Sequence, residues 1–406
     1  MKKKKKIIYK NFFQDKYINL KLNKKLNHKF LKVIDNIVAK LDNTQDIFHS
    51  LSNKFNFNFK NKDLNKFKGF NIIVVIGMGG SILGPEAIYS FLENKIKKTF
   101  LFVNNIDENN IEKLKKKYDL NKLLFLVISK SGNTIETLAN ISALKIIKKK
   151  SKNIIVISEK KNNILYLMCK KMNLFHIEHK SYIGGRYSVL SEVGLVPAYF
   201  MGVSLTKLRK NLLYHFKKKN KIFLKDSAIN LTNFLKNNKL KNLIFFNYVP
   251  QLDSFLYWSQ QLIAESLGKK GKGFLPIISP APKDHHSLLQ LYLDGPRDKL
   301  FYIFSSIPNK KNKITSKILG KTFNFLNNKS LSQIKIAQKK AFIEVLKKKK
   351  IPYREFVIPD ISEEVLGELF SYFMLETAIT GILANLNPFD QPAVEEVKIN
   401  TKKNLV

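Results

Sequence analysis

Cysteine is almost absent from this sequence, and so is any long apolar run free of charge. The one cysteine among 406 residues, Cys169, cannot form a disulfide within the chain, which is typical of a reducing compartment. The apolar run after the basic start, residues 7–9, is too short for the core of a signal peptide. The most apolar long stretch, residues 364–386, contains three glutamates and is more typical of a buried helix than of a membrane span. We therefore expect a cytoplasmic protein with no membrane partner.

Acidic residues are also scarce, since 31 Asp and Glu accompany 72 Lys and Arg, for a formal net charge of +41. Such a balance raises the possibility of nucleic-acid binding, because lysines neutralise backbone phosphates. The lysines are nevertheless spread along the whole chain, together with abundant Asn and Ile, and all three residue types have A/T-rich codons. A drift in genome composition explains the pattern, so we expect no nucleic-acid partner. The positive field would still speed the arrival of a small anionic substrate.

The hydrophobic content of 44% is enough for a substantial core. Short β-branched or aromatic runs alternate with longer amphipathic segments, which predicts an α/β fold with parallel sheets flanked by helices. Strands are expected near residues 71–76, 99–103, 123–128, 153–157, 242–246, 273–278, 300–304 and 355–358, with a lysine-rich helical crossing at 204–240. We predict an N-terminal helical cap over residues 1–65 that packs on the first domain, a first domain over 66–220 and a second over 221–406.

Two of the predicted strands end in turns suited to an anion. The run at 71–76 leads into Gly-Met-Gly-Gly-Ser at 77–81, and the run at 123–128 leads into Ser-Lys-Ser-Gly-Asn-Thr at 129–134. Each turn precedes a helical pattern, so hydroxyls and free backbone amides would meet at one sheet edge and suggest a phosphorylated ligand. The first turn is no dinucleotide fingerprint, because Ile82 replaces the third glycine and no Walker lysine follows. Each turn alone is equally typical of an ordinary connection or helix cap.

The combination of six ordered motifs is more informative than any one of them. They are Gly-x-Gly-Gly-Ser-x-x-Gly-Pro at 77–85, Ser-Lys-Ser-Gly-x-Thr-x-Glu-Thr at 129–137, Gly-Gly-Arg-x-Ser at 184–188, Gln-x-x-x-Glu-Ser-x-Gly-Lys at 261–269, His-Ser-x-x-Gln at 286–290 and Asp-Gln-Pro-x-Val-Glu-x-x-Lys at 390–398. In this order and over nearly the whole chain, they closely resemble the phosphoglucose isomerase family. The resemblance implies two sugar-isomerase (SIS) domains and the interconversion of glucose 6-phosphate and fructose 6-phosphate, in glycolysis and gluconeogenesis.

The resemblance also implies a role for each residue of the motifs. Ser129, Ser131 and Thr134, with Lys130, would hold the phosphate, and Gly80, Ser81 and Gln261 would lie against the sugar. Glu265 would move the proton between C1 and C2, Arg186 would lie beside the enediolate, His286 and Lys398 would open the ring, and Glu136 would orient the histidine. Family members of this kind are homodimers in which the histidine reaches into the neighbouring subunit's site.

These roles fit the chemistry of an aldose–ketose interconversion. A partly desolvated carboxylate can take a proton from one carbon and return it to the next. An arginine that never loses its proton suits the charge that develops on the enediol oxygen. Ring opening needs a group that both donates and accepts near neutrality, which is the range of histidine. No step calls for a metal or an organic cofactor.

Several features leave alternatives open. Gly132 and Asn133 replace bulkier residues of some family members, and Ala393 stands where glycine is common. His285 adjoins His286, and the sequence alone does not exclude it from the ring-opening role. An isomerase that also accepts mannose 6-phosphate is a close rival. A sugar-phosphate sensor built from the same domains is another, although it would have no use for the proton-transfer set of Arg186, Glu265, His286 and Lys398.

Overall fold

The computed structural model describes residues 6–13, 17–307, 312–315 and 320–405. Its strands are β1 (Ile8–Phe12), β2 (Ile72–Ile76), β3 (Thr99–Val103), β4 (Leu123–Ile128), β5 (Ile154–Ser158), β6 (Phe175–Glu178), β7 (Asn242–Asn247), β8 (Leu275–Pro280), β9 (Lys299–Ser306) and β10 (Tyr353–Ile358). Its α-helices are α1 (Leu20–Lys40), α2 (Asn61–Leu64), α3 (Leu83–Leu92), α4 (Glu108–Lys117), α5 (Ile135–Ala143), α6 (Ile164–Met172), α7 (Glu192–Phe200), α8 (Leu205–Arg209), α9 (Lys218–Asn237), α10 (Asp253–Leu267), α11 (Leu289–Asp294), α12 (Leu331–Lys348), α13 (Glu363–Leu383) and α14 (Val394–Asn404).

The first sheet has the strand order β3-β2-β4-β5-β6, and all its pairs are parallel. Strands β4 and β5 are buried along their whole length, as expected for a parallel sheet covered on both faces. The four strands predicted here and the α/β fold class are confirmed. Strand β6 was not anticipated, because its four residues, Phe-His-Ile-Glu, alternate apolar with polar side chains over too short a run.

The second sheet has the order β1-β10-β9-β7-β8 and is parallel except at its edge. There β1 pairs antiparallel with β10, with Ile8 opposite Val357. The four strands predicted for this half are confirmed, whereas β1 lies within the segment expected to be helical. Helix α1 packs against α9 and α13 rather than on the first sheet. The helical crossing predicted at 204–240 is interrupted, since α8 and α9 are separate helices. The domain boundaries at residues 65 and 220 stay a prediction.

Helix α13 is the apolar stretch noted in the sequence. It is the one helix in the described part of the chain that is long and apolar enough to cross a membrane, and 94% of its most apolar window is buried inside the fold. The expectation of a buried helix is therefore confirmed. Glu376 on this helix is satisfied internally: it accepts from Ser227 and from the buried Arg354 guanidinium, and Tyr302 donates to it at 3.0 Å.

Glu368, about two turns earlier on α13, is a buried acid with a weaker set of partners. Tyr9 of β1 donates to it at 2.9 Å, and His215 Nε2 lies 3.7 Å away. Burial raises the pKa of Glu368 to about 7 and lowers the pKa of His215 to about 3. The histidine is therefore neutral at pH 7 and cannot serve as the counter-charge of the carboxylate.

The raised pKa of Glu368 predicts how stability changes with pH. Because its pKa is higher in the folded than in the unfolded chain, the folded state binds the extra proton. The contribution of Glu368 is most favourable below about pH 4.3 and is lost as the pH rises through about 7. Glu368→Gln should remove this loss. The difference in the free energy of unfolding between the variant and wild type should therefore increase in favour of the variant from pH 5 to pH 8, by at most about 3 kcal/mol.

Urea unfolding at the two pH values measures this difference. Glu344→Gln, at an exposed glutamate on α12, is the matched control and should track wild type at both. A Glu368→Gln difference from wild type that stays constant between pH 5 and pH 8 would contradict the raised pKa.

Candidate active site

The glycine-rich turn after β2 packs backbone to backbone against the loop that carries Arg186. A Cβ atom at Gly80 would overlap the Gly185 carbonyl carbon and lie 2.5 Å from the Arg186 nitrogen. Ser188 Oγ donates to the Gly80 carbonyl at 3.4 Å, and the Gln261 amide lies against the same turn. Glycine is therefore required here by the close approach of two backbone segments. The buried Ser81 follows in this turn.

The turn after β4 gathers hydroxyls at the N-terminus of α5. Ser129 Oγ and Thr134 Oγ1 are 2.9 Å apart, and the Gly132 amide donates to Ser129 Oγ at 3.2 Å. The Asn133 amide donates to Ser131 Oγ at 3.3 Å. Thr134 is the N-cap of α5 but its side chain caps no amide of that helix. Helix amides and hydroxyls together form a site that suits an anion.

Helix α10 brings two of the sequence-predicted residues together. Gln261 and Glu265 are one turn apart, and Gln261 Nε2 donates to Glu265 Oε1 at 2.9 Å. The other carboxylate oxygen, Oε2, accepts from Arg186 Nη1 at 3.2 Å, and the Glu265 side chain is 30% exposed. Each carboxylate oxygen therefore has a donor that holds it in place, and the side chain remains exposed enough for a ligand to reach it.

Arg186 is a buried hub of hydrogen bonds. Its Nε donates to Ser266 Oγ at 2.8 Å, and its Nη1 donates to Gln391 Oε1 at 2.8 Å as well as to Glu265. Its Nη2 donates to the carbonyls of Pro388 and Asp390 at 2.6 and 3.0 Å. Ser266 and Gln391 lie inside the motifs at 261–269 and 390–398, but nothing in the sequence marks them as partners of Arg186. Arg186 thus joins the loop after β6, the end of α10 and the segment before α14.

Two cavities border the segment that leads into α14. One, of about 530 Å³, lies between Ser131, Thr134 and Glu136 on one side and Lys398 on the other. The second, of about 650 Å³, is lined by Glu265, Gln391 and other residues of the α10 and α14 segments. Val394 and Val397 of α14 line both cavities. Lys398 and Glu136 are therefore brought to the second turn, while Lys398 is exposed and paired with Glu395 at 2.6 Å.

The two neighbouring histidines have different surroundings. His285 faces inward, with Nε2 2.7 Å from Tyr248 Oη and its ring stacked on Phe246 at 5.4 Å. Burial, with a smaller effect of His286, lowers the pKa of His285. His286 is exposed, and neither cavity includes it in its wall. The structure therefore does not bring His286 to Glu265 within one chain.

The turn that carries His286 is fixed on both sides of it. Asp284 is buried and accepts from Ser279 Oγ at 2.6 Å and from Ser287 Oγ at 2.7 Å. With His285 held by Tyr248, residues 284, 285 and 287 all have internal partners. The His286 side chain is therefore exposed on a turn whose neighbouring residues are held in place.

Lys130 lies against an acid that sequence analysis missed. Its Nζ is 3.8 Å from Glu159 Oε1, after β5, and its side chain is 31% exposed. Burial lowers the pKa of Lys130, and Glu159 opposes that effect. An acid after a strand has no sequence signal that would mark it as a partner of Lys130. Among the described residues, no group of three or more His, Cys, Asp or Glu side chains is arranged to hold a metal ion.

The family model for phosphoglucose isomerase matches residues 10–404. The chain belongs to the phosphoglucose isomerase family. It is 33% identical over 381 residues to a glucose-6-phosphate isomerase of Methanocaldococcus jannaschii, covering 91% of this chain and 92% of that relative. It is 32% identical to the corresponding Mycoplasmopsis pulmonis protein, over 84% of each chain.

Solved structures share the fold of this family member. A hypothetical protein of Thermus thermophilus superposes with a TM-score of 0.80 at 24% identity, covering 98% of this chain and all of that one. A glucose-6-phosphate isomerase of Chlamydia trachomatis superposes with a TM-score of 0.70 at 22% identity, over 84% of this chain and 71% of that one. At these identities the likeness supports the fold alone.

The close approach at Gly80 gives a stability prediction. Gly80→Ala would force a methyl group into the Gly185–Arg186 backbone, and overpacking of this kind costs about 1–3 kcal/mol. Gly69→Ala is the matched control, because a Cβ at Gly69 meets nothing within 4 Å. Denaturant unfolding should show a clear loss for the first variant and almost none for the second. Equal effects of the two substitutions would contradict the backbone contact.

Proposed function

We propose that this protein interconverts glucose 6-phosphate and fructose 6-phosphate through an enediol intermediate, in glycolysis and gluconeogenesis. The observation that carries the proposal is the placement of Glu265, which Arg186 and Gln261 hold beside the first turn, in a chain that belongs to the phosphoglucose isomerase family. The names of its relatives support the same substrate pair. The sugar phosphate is the partner that this geometry suits.

The second turn would bind the phosphate group. The hydroxyls of Ser129, Ser131 and Thr134 lie at the N-terminus of α5, where backbone amides and the helix dipole favour an anion. Lys130, which lies against Glu159, adds a positive charge to this turn. Gly80 and Ser81 of the first turn, with Gln261, would contact the sugar that extends from the phosphate toward Glu265.

Glu265 would carry out the proton transfer between C1 and C2. Its carboxylate is partly exposed, so a substrate can reach it, and two donors fix its orientation. The Arg186 guanidinium would stabilise the charge that develops on the enediolate oxygen through its own positive charge, which its hydrogen bonds to the protein hold fixed beside Glu265 before substrate arrives. A buried cation of this kind needs no reorganisation during the reaction.

Ring opening would use His286 and Lys398, with Glu136 orienting the histidine. Lys398 and Glu136 already line one cavity together with the second turn. His286, in contrast, is exposed on the turn held by Asp284 and His285. The simplest way to bring His286 to a site is a homodimer in which it enters the neighbouring subunit.

The one cysteine fits the expected surroundings of the enzyme. The single thiol of Cys169 is buried, and burial raises its pKa to about 12, so it is an inert thiol and suits a cytoplasmic location. A sensor function is less well supported, because a protein that only binds its ligand would have no use for a proton-transfer pair such as Arg186 and Glu265. Acceptance of mannose 6-phosphate would depend on contacts at C2.

Replacing the proposed base tests the function directly. Glu265→Gln keeps the shape of the side chain and one oxygen that can accept a hydrogen bond from Gln261 or Arg186, but the amide cannot take up the substrate proton. Isomerisation of fructose 6-phosphate, coupled to detection of glucose 6-phosphate, should fall by ~10²–10⁴-fold, while ring opening persists. Glu112→Gln, at an exposed glutamate on α4, should retain wild-type turnover. If Glu265→Gln isomerised the substrate at the normal rate, Glu265 would not be the base.

Mixing two inactive variants tests the shared site. Glu265→Gln and His286→Ala subunits, exchanged after mild denaturation, should form hybrids in about half of the dimers. If each site takes its glutamate from one chain and its histidine from the other, every hybrid has one intact site, so roughly a quarter of wild-type activity returns. If both residues come from one chain, every hybrid site keeps a lesion. A mixture that contains hybrids but stays inactive would rule out the shared site.

A further inference from the structure

Glu159 lies directly behind the second turn, and neither the motifs nor the reaction assigns it a role. Its side chain is only 9% exposed and lies between two ammonium groups. Oε1 is 3.8 Å from Lys130 Nζ, and Oε2 is 2.8 Å from Lys161 Nζ, whose side chain is 62% exposed. A buried acid beside an anion site is unfavourable for the anion unless it acts through a neighbouring cation.

Backbone hydrogen bonds fix this acid relative to the turn. The Glu159 amide donates to the Lys130 carbonyl at 3.0 Å, and the Leu165 amide donates to the Gly132 carbonyl at 3.0 Å. Asn163 Nδ2 donates to the Glu159 carbonyl at 2.9 Å. The turn at 129–134 and the segment at 159–165 therefore form one scaffold, and the Glu159 backbone cannot move away from Lys130 without breaking it.

The charges around Lys130 explain why an acid is useful here. Burial lowers the pKa of Lys130, and the Lys161 and Arg186 cations lower it further, whereas Glu159 raises it. His179, which is buried after β6, also interacts with Lys130, but burial lowers the pKa of His179 to about 4, so it is neutral at pH 7 and cannot help. Glu159 is thus the acid in the described part of the chain that most favours the ammonium form of Lys130.

We propose that Glu159 is a positioning residue of the sugar-phosphate site, which holds the Lys130 ammonium at the second turn and keeps it charged, while Lys161 offsets the acid's own negative charge. This inference rests on the phosphate role proposed above for the second turn. A purely structural ion pair would stabilise the fold but would leave the pH dependence of anion binding unchanged. The two possibilities therefore differ in a binding measurement.

The test measures binding of glucitol 6-phosphate, which cannot isomerise, and of inorganic phosphate, by calorimetry from pH 7 to pH 10. A phosphate monoester is already a dianion over this range, since its second pKa is about 6, so any alkaline loss of its affinity reports on the protein. Inorganic phosphate titrates about one unit higher than a monoester, so its affinities are compared only above about pH 8. Glu159→Gln should shift that loss to lower pH, because Lys130 loses the charge that favours its ammonium form. Lys161→Gln should shift it to higher pH, because a repelling cation is removed.

Two variants complete the experiment. Lys130→Met should bind both anions roughly tenfold more weakly or worse, with the alkaline loss abolished. Glu178→Gln, at an exposed acid at the end of the neighbouring strand, should behave as wild type. Lys161→Gln keeps the test decisive if Glu159→Gln does not fold, since Lys161 is on the surface.

The proposal is overturned if neither charge variant shifts the alkaline loss of affinity, if both shift it in the same direction, or if Lys130→Met binds both anions normally. Binding of these anions needs no turnover. A failure of the proposed isomerase function would therefore appear in the activity assay and not in this binding test.

Discussion

The site depends on the hydrogen bonds of the buried Arg186 guanidinium. A cation removed from water is tolerated only when its donors are all satisfied, and here the acceptors come from separate parts of the chain: Ser266 and Glu265 on α10, the Pro388 and Asp390 carbonyls, and Gln391. The loop after β6, the end of α10 and the approach to α14 are therefore placed by one side chain. Displacing it would disturb all three together.

Most of the fold could be predicted from the sequence, because buried parallel strands are short apolar runs that end in glycine or hydroxyl-rich turns. The runs at 72–76 and 123–128 carry that signal on their own. Strands β1 and β6 do not. β1 becomes a strand only because β10 offers it an open edge, and β6 is too short and too polar to stand out. Such tertiary effects override local preference.

The candidate site could be predicted as a set of residues but not as an arrangement. Spacing within a helix relates Gln261 to Glu265, since residues four apart share a face. Spacing says nothing about side-chain direction, so it could not distinguish His285, which faces Tyr248, from the exposed His286. Nor could it pair Lys130 with Glu159, because that contact arises where two neighbouring strands end at the same edge of the sheet.

The antiparallel edge strand β1 also bears on how the chain is made. Ile8 leaves the ribosome 349 residues ahead of its partner Val357. At typical synthesis rates this separation corresponds to about 20–70 s. The first sheet, complete by Glu178, can assemble while the chain is still growing. The second sheet cannot close its edge until β10 has been synthesised, so the nascent β1 segment must remain without its partner strand, and available to chaperones, throughout that time.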